Sequence, residues 1–151
     1  MKRSILIITI ACTVLAAGCA GTANRLTDAE KAEGWELLFD GTSLDQWRLY
    51  NSEGTGSWGI DDGCLAADGT GSDSTGYIVT RKEYANFDLV FDWKVAPEGN
   101  SGVIYHVVES ERFHSPYLTG PEYQLIDDIN WPGELEEWQK TGADYAMYLP
   151  D

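Results

Sequence analysis

The residues of this chain that could do chemistry are concentrated in two stretches of its second half, GNSGVIYH and GPEYQLIDD. Successive side chains of a β-strand point to opposite faces, so Glu122 and Gln124 are predicted to share one face of a strand. By the same alternation, Asn100 and His106 share one face of the preceding strand. If both strands lie in one sheet with these faces on the same side, the four side chains form one polar patch. A carboxylate beside an imidazole suits general acid–base catalysis.

Each of these residues also has an ordinary structural interpretation, which the sequence leaves open. Glu122 and Gln124 could form the solvated face of an edge strand. His106 could be a hydrogen-bonded structural histidine. Asp127 and Asp128, which end the second stretch, are typical of a turn in which an aspartate caps the backbone. The residue types alone therefore support both a reactive patch and a structural one.

The elements that must position this patch are predicted to be β-strands. The clearest is FDLVFDWKV at 87–95, where apolar and polar residues alternate as in a half-buried strand. Asp62-Gly63 lies between two short apolar runs and predicts a hairpin, because its turn type needs positive φ. A capping box at 27–30 predicts a short helix that continues to about Glu33 and is stopped by Gly34. Strands at this spacing predict an all-β sandwich.

The charge of the chain limits its partners. Its 151 residues include 10 Lys and Arg against 25 Asp and Glu, for a net charge of −15. Nucleic acids and anionic lipid surfaces are bound by clustered Lys and Arg, so neither is an expected partner. The sequence also has no Gly-rich phosphate loop and no Gly-x-Ser-x-Gly elbow, so nucleotide binding and serine-hydrolase chemistry have no support.

The first 18 residues have the anatomy of an export signal. Lys2 and Arg3 precede an apolar run at 5–15, and the small residues at 16–18 suit a cleavage site. The LAAGC run at 15–19 resembles the lipobox of bacterial lipoproteins, in which the cysteine, here Cys19, is lipidated. An ordinary secretion signal with cleavage elsewhere is the alternative. Small polar residues then predict a tether at 19–26, and the expected location is the bacterial cell envelope, lipid-anchored at the periplasmic face or the outer membrane.

Several motifs in order resemble one family, DUF1080, whose members are described as 3-keto-disaccharide hydrolases or 3-keto-glucoside lyase/hydratases. The motifs are GWELLFDGTSLDQW, NSGVIYH, GPEYQLIDD and WQKTGADYAMY. The resemblance covers residues 27–151 and implies a concanavalin A-like jelly-roll sandwich, similar to family 16 glycosidases. Family members continue with further strands after the segment that resembles TGADYAMYLP. The chain is therefore expected to be the N-terminal part of such a domain, truncated at its C-terminus.

The resemblance implies cleavage of a glycoside that is oxidised at C3. The ketone acidifies the C2 proton, a carboxylate removes it, the enolate expels the C1 oxygen, and water adds to the product. Glu122 is the candidate base, Gln124 a candidate sugar ligand, and His106 the candidate acid or enolate stabiliser. The spacing of Glu122, Gln124 and Asp127 also resembles the Glu-x-Asp-x-x-Glu motif of family 16 glycosidases, which makes Asp127 a candidate catalytic acid.

Further candidates complete this set. Asn100 would bind substrate from the first stretch, Lys140 would close the site from a loop, and Trp131 would stack on a sugar ring. The alternatives are an ordinary surface lysine and a core or loop tryptophan. A divalent metal on His106 and Glu122 is a further option. A non-catalytic carbohydrate-binding module of the same fold is the competing function.

The lipobox generates a prediction about the mature protein. We expect it to begin at a lipidated Cys19, followed by Ala20, which offers no acidic inner-membrane retention signal. Mass spectrometry of the mature N-terminus checks this expectation. An unmodified Cys19, or cleavage at another position, would contradict the lipid anchor.

Overall fold

The computed structural model describes residues 4–9, 24–70 and 76–150. These residues are mostly β-strand with little helix. The strands are β1 (Ser4–Thr9), β2 (Trp35–Leu37), β3 (Trp47–Leu49), β4 (Trp58–Asp61), β5 (Cys64–Ala67), β6 (Ile78–Thr80), β7 (Phe87–Asp92), β8 (Asn100–Ile104) and β9 (Glu122–Ile126). The helices are α1 (Asp28–Glu33) and two short 3₁₀ helices, Pro116–Leu118 and Glu137–Gln139. No helix in the described ranges is long and apolar enough to cross a membrane.

The chain forms two compact units, Met1–Lys94 and Val95–Asp151. The first unit contains α1 and the core. The core is a cluster of buried side chains, Leu38, Phe39, Trp47 and Leu65, against which partly buried residues of β4, β6 and β7 pack. The Trp47 indole N–H donates to the Leu38 carbonyl at 2.9 Å. This bond gives the largest polar group of the cluster a partner, as burial requires.

The local signals for α1 and for the first hairpin are confirmed. Both halves of the Thr27 capping box form, and the helix ends at Gly34 with φ of 93°. β4 and β5 pair antiparallel across Asp62 and Gly63, whose φ values are 47° and 71°. Two successive positive φ angles are typical of a type I′ turn, which matches the twist of the strands that it joins.

The predicted strand at 87–95 is shorter in the structure. β7 alternates between partly buried and exposed residues, as expected, but ends at Asp92. Asp92 lies opposite Thr9, the last residue of β1 that the structure describes. Trp93 lies beyond the strand with 39% of its surface exposed. The predicted alternation is therefore confirmed over β7, and the strand ends three residues before the predicted end at Val95.

The apolar run assigned to the export signal contains β1. This strand lies between β2 and β7 and pairs in parallel with both. The sequence assigns this run to the export signal and therefore predicts no strand here. An Ile-rich run has a high strand propensity, and both neighbouring strands offer backbone groups that it can pair with. The lipobox and Cys19 lie outside the described residues, so cleavage and lipidation stay predictions.

The end of the predicted tether belongs to the folded part of the chain. Asn24 is 8% exposed, and its side-chain amide donates to the Gly63 carbonyl at 2.8 Å. Its φ of 57° lies in the left-handed region that asparagine tolerates better than most residues. A Cβ on Gly41 would lie 2.8 Å from the Asn24 amide nitrogen. The chain is therefore fixed against two turns from Asn24 onward.

The core generates a stability prediction. Phe39 is 1% exposed, so Phe39→Ala leaves a cavity and should lower the free energy of unfolding by about 3–5 kcal/mol. Val90 is 51% exposed, so Val90→Ala is the control and should cost less than about 1 kcal/mol. Chemical denaturation of the whole chain measures both. Equal losses of unfolding free energy in the two variants would contradict the placement of Phe39 in the core.

Candidate active site

The polar residues of the two stretches lie on β8 and β9, which pair antiparallel in the second unit. Glu122 is opposite Ile104, and Gln124 is opposite Gly102. Directly opposed residues of an antiparallel pair point to the same face of the sheet. Asn100 begins β8 on that face and is exposed. The structure therefore brings three of the four predicted patch residues to one face.

The other edge of β9 is paired by the segment at 142–145. The Gln124 backbone N–H donates to the Ala143 backbone carbonyl at 2.9 Å, and the Gly142 backbone N–H donates to the Gln124 backbone carbonyl at 3.0 Å. The Tyr145 N–H donates to the Glu122 carbonyl at 2.8 Å. β9 is therefore an inner strand of this unit, and the edge-strand interpretation of Glu122 and Gln124 is wrong. Gln124 is only 2% exposed.

Glu122 is partly buried, and its side chain lies against the neighbouring strand. A Cβ on Gly102 would lie 2.7 Å from both Cγ and Cδ of Glu122 and closer still to Oε1. Burial raises the pKa of the Glu122 carboxyl, because desolvation disfavours its charged form. A carboxylate with a raised pKa is a stronger base, which is the property that proton abstraction near neutral pH requires.

His106 lies two residues beyond the end of β8 and is exposed. Its φ is 53°, in the left-handed region, so strand alternation does not fix the side of the sheet that its ring faces. The ring lies edge-on to that of Tyr105, with centroids 5.6 Å apart. Tyr105 is held by its N–H, which donates to the Pro121 carbonyl at 3.1 Å. The strand argument that placed His106 on the patch therefore does not apply, and its catalytic role stays a prediction.

Asp127 makes the contacts of a turn cap. Its carboxylate accepts from the backbone N–H groups of Glu98, Ile129 and Asn130 at 3.0–3.2 Å, and from the Asn130 side-chain amide at 2.8 Å. The Asn130 amide, followed by these N–H groups, holds the pKa of Asp127 below its ordinary value. These contacts favour the structural interpretation over the catalytic one, because they occupy both oxygens.

Lys140 and Trp131 lie in the segment after β9. The Lys140 ammonium group forms an ion pair with Glu137, which raises the pKa of the lysine. The Trp131 backbone N–H donates to the Asp127 backbone carbonyl at 3.1 Å, and the residue is partly buried. Thr141 anchors the far end of this segment, since its hydroxyl bonds both the N–H and the carbonyl of Ile126. The segment thus returns to β9, while substrate contacts of Lys140 and Trp131 stay predictions.

Sequence reasoning missed two features of this unit. The Tyr105 hydroxyl donates to Asp144 Oδ2 at 3.1 Å, and burial, followed by this bond, raises the pKa of Tyr105. The two residues are 39 positions apart, so no local spacing could have found the pair. The second feature is Gly102 beneath Glu122, for which the signal was present: a glycine inside a strand often marks a close approach.

The metal option gains no support from the donor set. Among the described residues, no group of three or more His, Cys, Asp or Glu side chains could hold a metal ion. A bound divalent ion needs several such donors around one point. The structure therefore gives no additional reason to place a metal ion on His106 and Glu122.

The chain belongs to a known family. Residues 34–150 match the family of the 3-keto-alpha-glucoside-1,2-lyase-like domain, and the chain is a member of it. It is 32% identical over 115 residues to a 3-keto-disaccharide hydrolase from Bacteroides thetaiotaomicron. It is also similar to a crystal structure from Parabacteroides distasonis ATCC 8503, provisionally named a glycosyl hydrolase, with 43% identity and a TM-score of 0.74. The resemblance inferred from the motifs is thus confirmed.

Each match covers a larger share of this chain than of the protein with which it is compared. The B. thetaiotaomicron match takes in 67% of this chain and 40% of the relative. The P. distasonis match takes in 85% of this chain and 60% of the solved one. The chain therefore spans less than two thirds of the length of either protein.

The two interpretations of Asp127 can be separated by pH. A carboxyl whose folded-state pKa is lowered stabilises the fold fully above its unfolded value, about 3.9, and loses this effect as pH falls through the folded value. Asp127→Ala should therefore lower Tm at about pH 7, and the difference from wild type should shrink toward about pH 3. Thermal melts across this range measure it, with exposed Glu134→Ala as the control. An unchanged Tm at neutral pH would contradict the capping role.

Proposed function

We propose that the domain to which this chain belongs cleaves glycosides oxidised at C3, by elimination and hydration or by hydrolysis of the glycosidic bond. The observation that carries the proposal is Glu122, a partly buried carboxylate with a raised pKa, on one face with Gln124. Family membership and the name of the B. thetaiotaomicron relative support this substrate class. A concanavalin A-like jelly-roll sandwich is the proposed architecture of the whole domain.

In the elimination route, Glu122 takes the C2 proton, and the electron pair of that bond moves toward the C3 carbonyl to form an enolate. The enolate collapses, the C1–O bond breaks, and the departing oxygen takes a proton from His106 or from water. Water then adds across the C1–C2 double bond, with its oxygen at C1 and a proton at C2. A base whose pKa lies near the working pH is effective in the first step.

Gln124 is only 2% exposed, so it is proposed to support this face from within the sheet, while the exposed Asn100 binds the sugar at its outer end. Gln124 is suited to this role because its backbone N–H and its carbonyl are both hydrogen-bonded, to Ala143 and Gly142, which limits its movement. A fixed polar group lowers the entropy that must be lost when substrate is held in a reactive geometry. His106, exposed two residues beyond β8, is the proposed acid.

A carbohydrate-binding module of the same fold is the second candidate. Exposed aromatic rings in this unit favour it: Tyr123 is 42% exposed and Tyr148 is 69% exposed. Aromatic faces stack on sugars without any turnover. Tyr123, however, points to the face of β9 opposite Glu122, because the two are adjacent in one strand. The two candidates therefore use different faces and can be tested separately.

We also propose that the protein acts in the bacterial cell envelope, held by a lipid on Cys19. The LAAGC run after a basic and apolar leader supports this location. A substrate-degrading domain on a tether would meet soluble glycosides outside the cytoplasm.

The catalytic proposal is tested by Glu122→Gln in the intact protein. The amide keeps the shape and hydrogen bonding of the side chain but cannot take a proton. Turnover of a 3-keto-glucoside should fall by about 10²–10⁴-fold, while substrate binding, measured by calorimetry, should survive. Glu134→Gln, an exposed acid of the same unit, is the matched control. His106→Ala should also reduce turnover.

The outcomes separate the candidates. Normal turnover in Glu122→Gln would show that this carboxylate is not the base. Tight glycoside binding by a wild type that never turns over substrate, with loss of binding in Tyr123→Ala, would establish the binding module instead.

A further inference from the structure

Gly102 lies inside β8, where the backbone itself does not call for glycine. Its φ is outside the left-handed region in which glycine is favoured. A glycine inside a strand lowers stability, because it loses more backbone freedom on folding and has no side chain to pack. Gly102 therefore needs another reason, and its surroundings give one.

The space that a side chain of residue 102 would take is occupied by Glu122. A Cβ there would lie 2.7 Å from Cγ and from Cδ of Glu122, whereas non-bonded carbon atoms normally lie about 3.5–4.0 Å apart. Glu122 is opposite Ile104 and reaches diagonally toward Gly102, a distance that long side chains span across antiparallel strands. The carboxyl group thus occupies the space over the Gly102 backbone.

We propose that Gly102 is the positioning residue of Glu122: the missing Cβ leaves room for the carboxyl group over the strand and so fixes where the base meets the substrate proton. The catalytic part of this inference rests on the proposed function, whereas the placement of the carboxyl group does not. This position over the neighbouring strand also accounts for part of the burial that raises the pKa of Glu122.

Gly102→Ala tests the inference directly. The clashing atoms, Cγ, Cδ and Oε1, belong to a flexible side chain, so the strand can form while the Glu122 carboxyl moves away by about 1 Å or more. A misplacement of this size costs about 10²-fold in turnover. We expect kcat to fall by about that factor with KM little changed.

The control is Gly59→Ala. Gly59 also lies in a strand, β4, and also avoids the left-handed region, but a Cβ on it would meet nothing within 4 Å. It therefore reproduces the change in backbone freedom without the clash. Gly59→Ala should leave turnover unchanged.

A titration provides a readout that does not depend on turnover. Carbon-13 NMR of the intact protein follows the Glu122 carboxyl, assigned by its absence in Glu122→Gln. The pKa of Glu122 should fall toward its ordinary value in Gly102→Ala, because the carboxyl regains water, and should stay raised in Gly59→Ala. An unchanged pKa and unchanged turnover in Gly102→Ala would overturn the inference.

A double variant keeps the test decisive. If Gly102→Ala does not fold, adding Glu122→Ala should restore folding, because it removes the clashing atoms; failure to restore it would overturn the inference. If the pKa shifts as expected but wild type turns over no 3-keto-glucoside, the placement of Glu122 stands and the proposed function fails.

Discussion

The second unit of the structure depends on the pairing of β9 along both of its edges. β8 pairs with one edge from Asn100 to Ile104, and the segment at 142–145 bonds the other edge. An inner strand cannot slip by one residue without reversing every side chain on it. The double pairing therefore fixes which residues of β9 face the patch, and it buries Gln124 at the same time.

The reactivity proposed for Glu122 follows from this pairing rather than from a neighbouring charge. Burial is the cause of its raised pKa. In a chain of net charge −15, dehydration of one carboxylate costs stability, because the charged form is disfavoured wherever water is removed. Such a cost is typical of functional sites, where a shifted pKa has a use.

Two carboxylates five residues apart illustrate how environment divides roles. Glu122 lies against backbone with its pKa raised, while Asp127 accepts hydrogen bonds from N–H groups and has its pKa lowered. Groups whose environments move their pKa values apart can serve as different acids and bases, or as one base and one structural anion. The contacts of Asp127 match the structural anion, since its four hydrogen bonds order the turn after β9.

The sequence by itself determined what depends on near neighbours. The capping box of α1, the hairpin at Asp62 and Gly63, and the shared face of Glu122 and Gln124 follow from spacings of two to four residues. Tertiary structure alone decided the partners of β1, the burial of Gln124 and the bond between Tyr105 and Asp144. It also placed Glu122 over Gly102. Most of these features join residues 20 or more positions apart, and the burial of Gln124 requires that the second edge of β9 is also paired. Such pairings are set by the packing of the whole chain rather than by local propensity.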